Sequence, residues 1–358
     1  MDALYIHIPF CNKKCNYCDF WTFINMNHKF DFYTTNIIEE IKLYPEFQYK
    51  SIYFGGGTPS LLSLKNIGDI LTNVKYEKNA EITLELNPNN MTLQNLLELK
   101  KLGINRLSIG IQSFNDEVLK LLGRDHSSRD SIETYNNAIK VGFKNISIDL
   151  IFATPNQTME DLNKDLEKIK ELNPNHISIY SLIWEEGTFF WKQKNEGKLS
   201  EVSEDLEADM YERIIETLTS QGYIHYEISS FCKPGFESLH NTKYWDNKEF
   251  IGVGVSATSY FENRRYSNKK NIHKYFEDIK NNLRPIDFDS IEIISLEEKS
   301  KLSKMLGLRQ LNKGIEYDKN DEIINKLIMN NLLFLENERV KLTRKGLLLA
   351  NNVFVEFV

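Results

Sequence analysis

The sequence predicts an α/β fold, and three observations carry that prediction. From the start to about Gly187, strand and helix patterns alternate through six units. Beyond Gly187 the rhythm stops and an α+β region follows. The glycine and polar outliers of the first part gather at the carboxyl ends of its strands. Six consecutive β/α units imply a parallel sheet with helices outside, either a closed barrel or an open part of one.

The elements follow in order. Leu4–Ile8, Ser51–Phe54, Glu81–Leu86, Arg106–Ile111, Asn145–Leu150 and His176–Leu182 read as short strands rich in Ile, Leu, Phe and Tyr. Between them, Phe30–Leu43, Leu62–Val74, Leu93–Leu102, Asp116–Leu122, Arg129–Val141 and Met159–Leu172 carry apolar residues at helical spacing. Thr92 stands where a cap is expected, and Thr158 with Asp161 has capping-box spacing. Gly103 and Gly142 follow two helices where a left-handed stop belongs. Ser203 to Gln221 reads as a long helix ended by Gly222. From Leu296, two helices (Leu296–Gly307, Asp321–Asn330), a hairpin (Leu332–Leu335 with Val340–Leu342) and a last helix opened by Thr343 suggest a winged-helix-like unit. The expected domains are 1–190, 191–295 and 296–358.

Totals narrow the function classes. A chain of 358 residues with 27% charged and 41% hydrophobic residues is an ordinary globular mixture able to bury a large core. The net charge of −7 argues against a nucleic-acid partner, which wants a basic footprint. That also weakens the suggestion of DNA that a winged-helix shape makes by analogy. The first residues already read as a strand rather than a signal peptide, and no apolar run approaches the roughly 20 residues of a membrane span. A cytoplasmic location is the expectation, with reduced thiols.

Those thiols matter. Three of four cysteines lie in Cys11-Asn12-Lys13-Lys14-Cys15-Asn16-Tyr17-Cys18, directly after a short apolar run. A [4Fe–4S] cube is normally held by four thiolates, so three from one loop leave one iron open. Structural zinc wants four paired Cys/His ligands, and His7 lies before the loop on the expected strand. A disulfide set would leave one local thiol odd. C-x3-C-x2-C with an aromatic before the third cysteine resembles the radical S-adenosylmethionine (SAM) superfamily, and Tyr5-Ile6-His7-Ile8-Pro9-Phe10-Cys11 resembles its coproporphyrinogen dehydrogenase branch. The resemblance selects a partial (β/α)6 radical-SAM barrel. It also implies a [4Fe–4S] cluster on Cys11, Cys15 and Cys18 whose open iron chelates SAM, and cleavage of SAM to a 5′-deoxyadenosyl radical.

In α/β barrels chemistry sits at the carboxyl ends of the strands. There lie Gly55-Gly56-Gly57-Thr58-Pro59-Ser60, Glu85-Leu86-Asn87-Pro88, Gly110-Ile111-Gln112-Ser113-Phe114, Asp149, and Arg124 in the connection Leu122–Ser127. By resemblance, Gly56, Gly57 and Thr58 contact the methionine end of SAM, and Tyr5 contacts the ligand. Glu85, Gln112, Arg124 and Asp149 take the positions for the ribose, the carboxylate and their supports. The plainer alternatives are a tight βα turn at the glycines and a buried ion pair between Arg124 and Asp149.

A second block, Tyr226 to Gly235 and then His240-Asn241-Thr242-Lys243-Tyr244-Trp245, resembles the haem chaperone family HemW, whose His-Asn-x-x-Tyr-Trp motif is associated with haem. An imidazole beside two large aromatics suits an axial iron ligand with a flat wall. Lys243, Arg264, Arg265, Lys269 and Lys270 are candidates to meet propionates. The alternative is that His240 makes an ordinary hydrogen bond while Tyr244 and Trp245 pack. Cys232 is open between a fourth cluster ligand, a haem thiolate and a small buried hydrophobe. Thr258 stands where the family has histidine.

Three readings compete: a haem chaperone keeping a radical-SAM cluster, an oxygen-independent coproporphyrinogen dehydrogenase, and another radical-SAM enzyme, one acting on RNA among them. The dehydrogenases add a cysteine two residues after the third, where this chain has Phe20, and they extend before the first strand. The chaperone reading is therefore expected. It implies haem and a haem-acceptor protein as partners, a transient membrane-protein acceptor being one form, and an electron donor such as a flavodoxin. No coproporphyrinogen dehydrogenase activity is expected.

Overall fold

The computed structural model describes residues 1–357. The chain opens with β1 (Ala3–Ile8), then the short strands β2 (Phe10–Cys11) and β3 (Phe23–Ile24), which pair with each other and bracket the cysteine loop. The repeat then runs α1 (Phe30–Lys42), β4 (Tyr49–Gly56), α2 (Leu64–Thr72), β5 (Tyr76–Leu86), α3 (Leu93–Lys101) and β6 (Arg106–Gln112). It continues with α4 (Asp116–Leu121), α5 (Ser128–Val141), β7 (Asn145–Phe152), α6 (Met159–Leu172) and β8 (His176–Ser181). Strands β1, β4, β5, β6, β7 and β8 are neighbours in that order and all parallel.

The expected capping chemistry is present. Thr92 accepts from the Asn95 N–H, Thr158 and Asp161 form a reciprocal box, and Gly142 closes α5 in the left-handed region. Helix α2 starts two residues later than its apolar spacing suggests. Pro59–Leu61 makes a 3₁₀ turn there, and Ser63 with Asn66 caps the helix.

Side chains alternate across a strand, so residues two apart share a face. The barrel strands use this strictly. Ile52, Phe54, Ile82, Leu84, Leu107, Ile109, Ile146, Ile148, Ile177 and Ile179 are buried in the apolar core shared with the surrounding helices. The residues between them face the barrel interior and are polar: Ser51 and Tyr53, Glu81, Thr83 and Glu85, Arg106 and Ser108, Ser147 and Asp149, His176 and Ser178. Register stacks them in rows, with Ser51 opposite Glu81, Glu85 opposite Ser108, Ser108 opposite Ser147 and Asp149 opposite Ser178. A barrel interior is ordinarily filled by branched apolar side chains. This one is wired for hydrogen bonds.

The barrel is open, since β1 and β8 each pair with later strands instead of each other. After α7 (Phe189–Asn195) and α8 (Glu204–Ser220), β9 (Ile224–Glu227) and β10 (Ser230–Cys232) extend the sheet antiparallel beyond β8. Helix α9 (Leu239–Trp245) follows. Then β11 (Phe250–Val253) joins β1 in parallel, with β12 (Thr258–Phe261), β13 (Arg264–Ser267) and β14 (Glu292–Ile293) antiparallel outside it and α10 (Ile272–Lys280) between the last two. One sheet of twelve strands results. The short β11 escapes periodicity because Gly252 interrupts its apolar run. A Cβ there would meet the Thr258 carbonyl oxygen at 2.1 Å.

The last unit holds α11 (Leu296–Leu308), β15 (Ile315–Glu316), α12 (Glu322–Met329), the hairpin of β16 (Leu333–Glu336) and β17 (Arg339–Leu342), α13 (Arg344–Leu348) and α14 (Ala350–Val355). β15 completes a separate three-stranded sheet with the hairpin. The unit meets the rest of the chain through Gln310, whose amide donates to Asp246 at the end of α9 at 2.8 Å, and Arg309, 3.2 Å from Glu227 on β9.

Candidate cofactor site

The Cys11–Cys18 loop is pinned on both sides by backbone bonds. Thr58 N–H donates to the Phe10 carbonyl and Gly57 N–H to Ile8, each at 2.8 Å. At the far side Asn16 N–H bonds Leu122 O at 3.0 Å, its side-chain amide bonds Leu121 O at 2.8 Å, and Phe190 N–H bonds Asn16 O at 2.9 Å. The loop is thus clamped between the glycine turn after β4 and the end of α4. Two glycines are required by this closeness. Gly56 has φ +108°, and a Cβ would meet the His7 ring at 2.5 Å. At Gly57 a Cβ would stand 2.7 Å from Phe10 O and 3.0 Å from Cys11 Sγ.

The three thiols line a cavity of about 440 Å³ at the carboxyl ends of the strands. Gly56, Gly57, Thr58, Glu85, Gln112, Arg124 and Asp149 line the same cavity. Among the described residues no three His, Cys, Asp or Glu side chains converge as ligands of a single metal ion. The thiols instead share the wall of a larger volume, which suits a cube better than a zinc ion. Burial pushes the Cys18 thiol up to about 11 and the Cys11 thiol up as well. Both stay protonated at neutral pH until positive charge joins them, as expected of metal ligands that release protons on binding.

The rim is highly organised. Glu85 accepts from the Tyr53 hydroxyl at 2.8 Å and from Gly56 N–H at 3.2 Å. Asp149 accepts from Ser108 at 2.8 Å and Ser147 at 3.0 Å. Burial pushes the Glu85 carboxyl up to about 7 and raises Asp149 too. Arg124 donates to Asn87 Oδ1 at 2.6 Å and Gly110 O at 2.8 Å, with its other terminal nitrogen 3.5 Å from Cys15 Sγ. The Arg124–Asp149 ion pair considered as an alternative is not formed. Gln112 sits at a bulge of β6 with φ +68°, unusual for a non-glycine residue. Strain of that kind gathers at ligand sites. Gln112 Oε1 and Arg124 Nε are buried without hydrogen-bond partners among the described residues, polar capacity that a ligand can use.

Residues 5–169 match the radical SAM superfamily model. The chain is 37% identical to the haem chaperone HemW of Lactococcus lactis, across 100% of this chain and 97% of the relative. It is 33% identical to HemW of Bacillus subtilis, across 100% and 99%. This chain belongs to the HemW family. Its fold matches the solved structure of the Escherichia coli coproporphyrinogen III oxidase HemN, a radical SAM enzyme, with a TM-score of 0.84 at 24% identity, over 99% of this chain and 90% of that one. The superfamily is one of [4Fe–4S] and SAM proteins, and the shared thiols and the unpaired rim fit both groups.

For a HemW-family chain the place of His-Asn-x-x-Tyr-Trp is unexpected. The motif forms α9, and α9 closes the opposite, amino end of the barrel. His240 is only 1% exposed. Its Nδ1 bonds Ser51 Oγ at 3.0 Å and its Nε2 bonds the Tyr244 hydroxyl at 2.7 Å. Burial, with Arg106 nearby, lowers its pKa to about 3. Glu81 accepts from the Leu239 and His240 N–H groups at 3.2 and 3.0 Å and lies 3.9 Å from Arg106 Nε. Neither His240 nor Tyr5, whose hydroxyl bonds His7 Nδ1 at 3.0 Å, lines the cavity. The candidate propionate cations are dispersed as well. Lys269 pairs with Asp278 at 2.5 Å, and Lys270 lies over the Trp21 ring. Cys232 is fully buried on β10, its thiol pushed up to about 12 by burial, and stands apart from the cavity wall. Asn16, Tyr53, Ser108 and Ser147 went unnoticed as supports, although strict polar–apolar alternation along the strands marks the last three.

No helix among the described residues is long and apolar enough to cross a membrane.

Proposed function

We propose that this chain is a haem chaperone that carries a [4Fe–4S] cluster on Cys11, Cys15 and Cys18, binds SAM across the rim of the same cavity, and binds haem and passes it to an acceptor protein. The observation that carries the cofactor part is the gathering of three thiols and an incompletely paired polar rim in one cavity. The cluster, once bound, supplies an open iron and an electron for SAM. Gly56, Gly57 and Thr58 offer close backbone approach to the methionine end. Glu85 and Asp149, acceptors already oriented by Tyr53, Ser108 and Ser147, suit ribose hydroxyls. Arg124 and Gln112 suit the SAM carboxylate and its surroundings. An electron donor such as a flavodoxin is the further partner this chemistry requires.

Family membership supports the haem part, and so does Phe20, 54% exposed on the cavity wall where the dehydrogenases have a cysteine. For His240 to ligate iron its ring must first leave Ser51 or Tyr244. The test is a haem titration of anaerobically reconstituted protein beside a coproporphyrinogen assay. A Soret band at stoichiometric haem, with no protoporphyrinogen formed, is the expected result. Conversion of coproporphyrinogen without haem binding would move the chain to the dehydrogenases.

A further inference from the structure

The two ends of the barrel are joined by one chain of contacts. Tyr53 lies on the inward face of β4, two residues above Ser51. Its hydroxyl reaches Glu85, and the other Glu85 oxygen holds Gly56 N–H, so Tyr53 also secures the glycine turn against the cysteine loop. The Tyr53 ring has two ring neighbours. Tyr5 stacks at a centroid distance of 6.3 Å and 28°, and His240 lies at 5.0 Å and 34°. The imidazole cannot turn freely, because Ser51 and Tyr244 hold both of its nitrogens. His240 and Tyr244 are four apart, hence stacked on one face of α9. That spacing brings the Tyr244 hydroxyl onto Nε2.

We propose that His240, fixed by Ser51 and Tyr244, is a positioning residue for the SAM end of the barrel: it holds the Tyr53 ring so that the hydroxyl meets Glu85 and, through Glu85, Gly56. This rests on the reading of the rim as the SAM site. The role differs from axial ligation, which needs a ring nitrogen free of protein partners. It also accounts for both polar contacts of the imidazole, as outer supports commonly do for residues that touch a ligand. The histidine and tyrosine of the motif then belong to the machinery at the opposite end of the barrel.

The test is a double-mutant cycle read as the dissociation constant of SAM on the anaerobically reconstituted full chain. The variants are Tyr53→Phe, His240→Phe and the double variant, each with a melting temperature. Tyr53→Phe should weaken SAM binding at least about tenfold, the low end of the scale for removing a hydrogen bond to a charged group. His240→Phe should weaken it severalfold when Tyr53 is present and add nothing in the Tyr53→Phe background. Residues acting through one another are non-additive in this way, whereas independent losses of stability add. Should His240→Phe not fold, Tyr244→Phe removes one hydroxyl, keeps the ring, and completes the same cycle. Equal losses in both backgrounds, or unchanged SAM affinity, would overturn the proposal. So would a Soret band that collapses in His240→Phe while SAM affinity holds. Failure of the unaltered protein to bind SAM would instead remove the cofactor reading on which this one stands.

Discussion

At the carboxyl ends of the parallel strands the inward polar side chains meet an open cavity, and at the amino ends the same strand faces meet α9. Below, α9 supplies most of the partners. Glu81 takes two N–H groups of α9, and His240 has a partner on each nitrogen. The exceptions among the described residues are Arg106 Nε, 3.9 Å from Glu81, and the neighbouring Thr83 Oγ1 and Asn145 Oδ1. Above, Gln112 Oε1 and Arg124 Nε are buried with nothing to bond among the described residues, and three thiols face the same space. Burying polar groups without partners is costly. The difference teaches that a polar barrel interior needs a stopper at each end: a helix serves at one, and on the proposed reading a cofactor serves at the other.

The sharpest way to break that contrast is to remove the cysteines. Cys11→Ala, Cys15→Ala or Cys18→Ala should each abolish the broad visible absorbance of anaerobically reconstituted protein. Cys232→Ala, outside the cavity, should retain it. Equal loss in Cys232→Ala would mean that no iron is left open and that the upper end is closed by protein after all.

The lower end is tested by Glu81→Ala. This strands Arg106, which is 1% exposed, and two N–H groups of α9. Removing one partner of a buried charged pair costs about 3–5 kcal/mol. The melting temperature should fall by several degrees with a larger fall than any single rim substitution produces. A rim variant such as Asp149→Ala that proves more destabilising would reverse the assignment of which end is structural.

How much of this was legible beforehand depended on periodicity. All six barrel strands and the helices between them show it, because each strand presents one uniformly apolar face to the helices. The cysteine spacing and the outliers at the strand ends marked the upper site without any geometry. The lower end was illegible. Helix α9 has seven residues, too few for a helical period to show, and its partners Ser51 and Glu81 lie far away in sequence. His240 was therefore visible as a residue able to ligate iron, while the two bonds that occupy it were not. β11 was hidden because Gly252, needed for its packing against Thr258, breaks a run of four.

The rim itself is sharpened by a double variant. Glu85→Ala with Asp149→Ala removes two oriented acceptors, each bond to a charged group being worth about 1.5–3 kcal/mol. SAM affinity should fall at least a hundredfold by equilibrium binding, while the cluster absorbance persists. Unchanged affinity would leave the unpaired polar atoms above without a ligand and erase the contrast with the lower end.

The smallest expected effect is on pH dependence, and it follows from Glu85. Burial raises this carboxyl to about 7, and the nearby Asp149 pushes the same way, against the Tyr53 hydroxyl, Gly56 N–H and Arg106. Tyr5, Tyr244 and Tyr180 also face it, all with phenols raised above their ordinary value and so uncharged near neutrality. On the proposed reading ribose hydroxyls donate to the carboxylate, so SAM affinity should be full above about pH 7 and fall as pH drops through it, by at most about tenfold per unit. Folding stability of the SAM-free chain runs the other way. A carboxyl raised in the folded state contributes stability that is present below its unfolded value near 4.5 and lost as pH rises through about 7. Glu40, buried and also raised to about 7, adds to that second curve. The comparison with Glu85→Gln separates them, because only the Glu85 share disappears. His7 and His126, both lowered to about 4 by burial, do not titrate in this window. A SAM affinity that is flat from pH 5.5 to 8 (roughly the span over which such a group would titrate), or a slope that survives Glu85→Gln, would remove Glu85 from the ligand's reach. It would leave that carboxylate as one more satisfied group of the barrel, like Glu81 below it.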